Sequence, residues 1–134
     1  MVYDDFVILA QRQDSRNIFQ PCDSDLSFVP VSLRSFYTTY NPVDVEILLA
    51  DSTSVRFSPV KYLEKIQDEY GINDSSFIFA TQDGDPIYVK FDGVFIGTHG
   101  GSIFKESKLS DNFDSYIEMI SKEMIEKMKS KCKR

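Results

Sequence analysis

The sequence predicts an α+β fold, a central antiparallel sheet with helices packed against it, in a single domain spanning residues 1–134. Three observations predict it. Short β-branched and aromatic runs separated by Asp-Gly fill the stretch from Phe77 to Thr98, the pattern of a strand meander. Apolar residues recur at helical spacing before and after that stretch. A chain of 134 residues, 42% hydrophobic and 13% aromatic, is enough for one core. The 27% of charged residues is an ordinary solvated surface, which excludes a disordered polyanion. No repeat, linker or low-complexity segment divides the chain.

Taken in order, Tyr3 to Gln11 places Phe6, Val7 and Leu9 or Ala10 as a short helix would, although periodicity alone leaves a strand open. Residues 14–25, polar and carrying Pro21, read as a connection. Pro30 then opens a short amphipathic helix with Leu33, Phe36, Tyr37 and Tyr40 on one face, stopped by Asn41-Pro42. Val45, Ile47 and Leu49 alternate with their neighbours, Asp51 to Ser54 supply a turn, and Val55 to Phe57 complete a hairpin. Ser58 offers an N-cap with Pro59 at the first helical position, Tyr62, Leu63, Ile66 and Tyr70 mark the apolar face, and Gly71 ends the helix. The runs at residues 77–81, 87–91 and 94–98 form at least three meander strands, with Asp92-Gly93 as a two-residue hairpin turn. Ser110 or Asp111 caps a last helix through Phe113, Tyr116, Ile117, Ile120, Met124 and Met128.

The formal charge of −6 is unevenly spread. Residues 1–104 hold 15 acids and 7 bases, net −8, and residues 105–134 hold 6 acids and 8 bases, net +2. An acidic body works against nucleic-acid binding, which needs clustered Lys and Arg. The basic tail reads as cations offsetting a helix macrodipole. Cys22 and Cys132 are too few for a secreted disulfide framework, so both read as free thiols. Asp4 and Asp5 stand where a signal peptide carries positive charge, and no window approaches the ~18 apolar residues of a membrane span. A cytoplasmic chain with no membrane contact is expected.

No motif specifies catalysis. His99 is the single His, and His99-Gly100-Gly101-Ser102 resembles an oxyanion-hole loop but lacks the accompanying G-x-S-x-G turn. The glycines read as a turn leaving the last meander strand, with His99 half-buried at the strand end. One His and two distant Cys lack metal-ligand spacing. Asp83-Gly84-Asp85 lacks the rest of a calcium loop, since its twelfth position is Val94. No phosphate-cradling glycine loop is present, and nothing singles out a pair among the 21 acids for acid/base work. No catalytic residue, metal or cofactor is expected.

Three stretches, FVPVSLRSFYTTYNPVDVEI, FIFATQDGDPIYVKFDGVFIGTHG and KLSDNFDSYIEMI, together resemble the SUKH superfamily, which includes fungal cell-wall regulators and many bacterial immunity proteins that neutralise polymorphic toxins. The likeness runs from about residue 28 to residue 120. Its most specific part is the strand, Gly-Asp turn and strand from Phe79 to Tyr88, coupled to Asn112-Phe113-Asp114-Ser115-Tyr116. The latter is similar to the family's S-F-x-x-F helix start, with Asn in place of the first Ser and the packing aromatics kept. The resemblance implies a non-enzymatic α+β domain that binds a cognate protein toxin, a nuclease being one such toxin; a monomer or weak dimer is expected. The alternative it implies is an intracellular scaffold or regulatory module. An acidic inhibitor would gain association rate from a basic toxin cleft. The residues expected at such an interface are Asp44 and Glu46 entering the hairpin, Asp83 and Asp85 flanking Gly84, Asp92 at the next turn, and Tyr88, which its strand places either toward solvent or in the core.

Overall fold

A computed structural model describes residues 2–70, 75–100 and 103–132, and within them the chain forms four helices and one antiparallel sheet of seven strands in sequential order. The elements are α1 (Val2–Gln13), β1 (Ile18–Gln20), α2 (Val31–Thr39), β2 (Asn41–Leu48), β3 (Ser54–Phe57), α3 (Val60–Tyr70), β4 (Phe77–Gln82), β5 (Asp85–Lys90), β6 (Gly93–Gly100), β7 (Ile103–Ser110) and α4 (Phe113–Cys132). Strand alternation gives the sheet two faces. Val45, Ile47, Val55, Phe57, Ile87, Val89 and Val94 face the main core, which α1, α2 and α4 cover with Phe6, Phe36, Phe113 and Ile117. Phe36 lies 5.2–6.5 Å from six other rings, those of Tyr3, Phe6, Tyr37, Tyr40, Phe57 and Phe113. On the opposite face Ile66 of α3 packs with Ile78 and Tyr88 in a smaller cluster flanked by Tyr62, Tyr70 and Phe95.

Several elements differ from expectation. The open choice at the N-terminus resolves to a helix, α1. The segment read as a connection contains β1, whose three residues pair with Asn41–Asp44; its partner lies about twenty residues away, and so short a run carries no periodicity. Asn41-Pro42 does end α2, but β2 begins there. Pro42 is accepted because β3 reaches only as far as Val45, leaving β1 as the single neighbour at that point. Beyond β1, side-chain amides complete the edge of β2. Asn17 Oδ1 accepts the Glu46 N–H at 2.9 Å, Gln13 Oε1 accepts the Leu48 N–H at 2.7 Å, and Gln13 Nε2 donates to the Leu48 carbonyl at 2.8 Å. Gln67 of α3 does the same for both backbone groups of Ile78.

Both helix caps move. α3 starts at Val60, whose N–H donates to Asn41 Oδ1 at 3.0 Å, while the Ser58 hydroxyl is buried without a partner. Ser58 instead extends the ladder, donating its N–H to the Phe79 carbonyl and accepting the Tyr37 hydroxyl at 3.0 Å. α4 is capped by Asn112, whose Oδ1 accepts the Ser115 N–H at 2.7 Å. Gly71 and the Gly101 turn lie outside the described residues, as does the His99 side chain, although His99 and Gly100 belong to β6. The meander runs on into β7, giving four strands from β4 to β7. Cys22 is a half-buried free thiol.

Candidate functional site

Three of the residues expected at an interface come together. Asp44 and Glu46 alternate with the core residues of β2 and so stand on the outer face. Asp44 Oδ1 accepts Arg56 at 3.2 Å, and Glu46 Oε2 accepts the Ser54 hydroxyl at 2.9 Å. The Ser54 N–H donates to Asp83 Oδ1, and the Asp83 N–H donates to the Ser54 carbonyl, both at 3.0 Å. Asp83 therefore locks the β2–β3 turn to the β4–β5 turn. Asp85 follows Gly84, half-buried and paired with Gln82. Asp92 sits at the other end of β5 and does not join this acidic edge.

Tyr88 is a core residue. It is fully buried, stacks on Phe95 at 6.1 Å, and donates its hydroxyl to Glu106. Lys90 Nζ reaches both Glu106 oxygens at 3.1 and 3.0 Å. Burial, then the bond to Glu106, raises the Tyr88 phenol well above its ordinary value. The bond from Tyr88, then Lys90, holds the Glu106 carboxyl below the usual range. At neutral pH the phenol therefore keeps its proton and the carboxyl stays ionised. The group fastens β5 to β7.

A different surface combines exposure with strain. The β5–β6 turn consists of Phe91 and Asp92 at φ 50° and 69°, with Lys90 paired to Gly93. Positive φ at both central residues is the type I′ geometry that ordinarily takes Asn-Gly. The neighbouring β4–β5 turn obeys that rule with Asp83 and Gly84 at 49° and 92°. Phe91 obeys it poorly, since a bulky L-residue in the left-handed region is strained. Its ring is 83% exposed, and Phe28 and Val31 stand exposed at 38% and 75%. All three border a cleft of about 490 Å³ between the start of α2 and the hairpin tip. Arg34 braces the far wall, donating to the Val29 carbonyl at 2.7 Å and the Ser27 carbonyl at 3.1 Å. Phe28 is held from beneath by Phe77, with ring centroids 6.5 Å apart.

Sequence reasoning missed this cleft because it placed the turn at Asp92-Gly93, which makes Phe91 a strand residue. Chemically the cleft is mixed: Phe28, Val31 and Phe91 give it exposed apolar edges, while Ser27, Ser32, Ser76, Arg34, Lys90 and Asp92 supply polar groups, a lining suited to a partner side chain with an apolar body and a polar end. Among the described residues no group of three or more His, Cys, Asp or Glu is placed to hold a metal ion, and no helix is long and apolar enough to cross a membrane. No protein-family model, curated protein or solved structure matches the chain.

Proposed function

We propose that the chain is a SUKH-like immunity protein of the cytoplasm that binds a cognate protein toxin and blocks it by occupancy, with the Phe91 hairpin tip inserted into the contact. The observation that carries this reading is the combination at Phe91 of φ 50° and 83% exposure. A strained backbone at an exposed hairpin tip persists where its side chain has work to do, because Asn or Gly there would relax the turn. Exposed aromatics beside a cleft are side chains of the kind that dominate protein interfaces. The formal charge of −6 supports a basic partner, adding long-range attraction to the local apolar contact.

The test is co-expression with the toxin encoded beside this chain's gene. Survival of the cells and co-elution of the two proteins on size exclusion are expected. Cell death together with separate elution overturns the reading.

A further inference from the structure

The helical layer carries a second surface, which shares no lining residue with the Phe91 cleft. α1 and α4 run side by side in the same direction. Tyr3 bonds Asp114 at their N-terminal ends, while Arg12 and Ile125 border one cleft of about 650 Å³ further along. Along α1, Asp5, Ile8 and Arg12 stand at i, i+3 and i+7, one stripe of the helix. On α4, Glu118, Lys122 and Ile125 stand at i, i+4 and i+7, again with the acid N-terminal to the base but with the isoleucine beyond it, and Lys122 lies 3.8 Å from Glu118. Ile8 and Ile125 are 48% and 37% exposed, although Phe6, Val7, Ala10, Ile117 and Ile120 already fill the core side of these helices. The surface thus has acids toward the helix N-termini and bases toward the C-terminal side, with Ile8 between them on α1 and Ile125 beyond the base on α4.

We propose that this face binds a second copy of the chain, docked antiparallel about a two-fold axis. Such an axis sets α1 against α1, with Asp5 of one copy opposite Arg12 of the other, twice over. It also opposes the macrodipoles of all four helices. The parallel two-fold arrangement sets α1 against α4 and brings Asp5 to Glu118 and Arg12 to Lys122, like charge on like. A partner of uniform charge meets one repelling end in either orientation, whereas a second copy docked antiparallel meets an opposite charge at both. Two short helical stripes per copy fall below the roughly 1,200 Å² of standard interfaces, so the dimer is weak, with Kd on the order of 100 μM.

The experiment is sedimentation equilibrium on the full chain from about 10 μM to about 1 mM, a range that brackets that Kd. Asp5→Lys and Arg12→Glu, each alone, are expected to weaken dimerisation about tenfold or more, and their equimolar mixture to restore it, because each variant then faces its complement. Ile8→Gln is expected to weaken dimerisation with all charges in place, and circular dichroism checks that every variant is folded. A wild type that stays monomeric throughout, an assembly larger than a dimer, or a mixture no tighter than its components overturns the proposal. These outcomes are independent of toxin binding, since the two surfaces are separate.

Discussion

Replacing Phe91 by Asn separates what the hairpin tip contributes to folding from what it contributes to binding. A non-glycine residue in the left-handed region carries about 1–2 kcal/mol of strain, and Asn tolerates that region far better than Phe. Against this relief stands lost burial. Phe91 is 83% exposed, so only about one sixth of a side chain of roughly 200 Å² is covered, worth ~0.9 kcal/mol at about 25 cal/mol per Å². The balance lies between about zero and 1 kcal/mol in favour of Asn, a rise in Tm of up to about 3–4 °C for a domain of this size. Binding moves the other way. Loss of an aromatic anchor worth about 2 kcal/mol weakens the toxin complex roughly thirtyfold. Thermal unfolding by circular dichroism and titration calorimetry against the toxin read the two effects separately. A Tm that falls by several degrees makes Phe91 a packing residue, and an unchanged affinity removes it from the interface; either result refutes the assignment.

Reversing Asp44 and Glu46 to Lys tests the acidic edge. The Asp44–Arg56 pair is 59% and 58% exposed and contributes at most about 1 kcal/mol to stability, so the fold should persist while association with a basic partner slows several-fold at low salt and converges with wild type at high salt. Equal rates at low salt would place the contact away from this edge. Alkaline titration tests the buried phenols. Burial raises the pKa of Tyr37 and Tyr116 above the ordinary value of 10, so their stabilisation is complete below pH 10, where both states hold the proton. It falls by about 1.4 kcal/mol per pH unit for each tyrosine above that, where only the unfolded chain ionises. Phenolate absorbance from these two is expected to appear with the loss of far-ultraviolet circular dichroism. Full ionisation of all seven tyrosines near pH 10 with the fold intact would contradict their burial.

How far the fold can be read from the sequence depends on how local its signals are. α2, α3 and α4 announce themselves through apolar spacing, and Leu33, Phe36, Tyr37, Leu63, Ile66, Phe113 and Tyr116 are all buried as that spacing requires. Caps are less local. Ser58 is adjacent to α3 and looks like its cap, yet the first N–H goes to Asn41, nineteen residues earlier, because Ser58 is occupied by the ladder to Phe79. β1 is invisible for the same reason: three residues with exposed, intermediate and exposed side chains become a strand only because β2 is beside them. Asp44 and Glu46 are readable as outer-face acids from alternation alone, whereas Tyr88, one position off the core phase of β5, is open between solvent and core in the sequence and is buried because α3 lies over it.

The Phe91 cleft hinges on a choice that alternation cannot make. With Asp92-Gly93 as the turn, Phe91 pairs with Val94; with Phe91-Asp92 as the turn, Val89 does. Either register keeps Ile87, Val89, Val94 and Ile96 on one face, so both satisfy the period of two. Gly93 decides. In the structure it is a strand residue paired with Lys90. A Cβ there would meet Phe95 Cε1 at 3.0 Å and Lys108 Cε at 3.3 Å. Gly93 thus sits where β6 passes close to the Phe95 ring and the Lys108 side chain of β7, and a Cβ there would require those side chains to give by a few tenths of an ångström. Held in the strand, it cannot also supply a positive φ to the turn, and that conformation falls on Phe91 and Asp92 instead. The left-handed backbone at position 91 thus follows from the register that holds Gly93 in the strand, whereas nothing in that register asks for an aromatic ring there, and the binding reading concerns that choice of side chain.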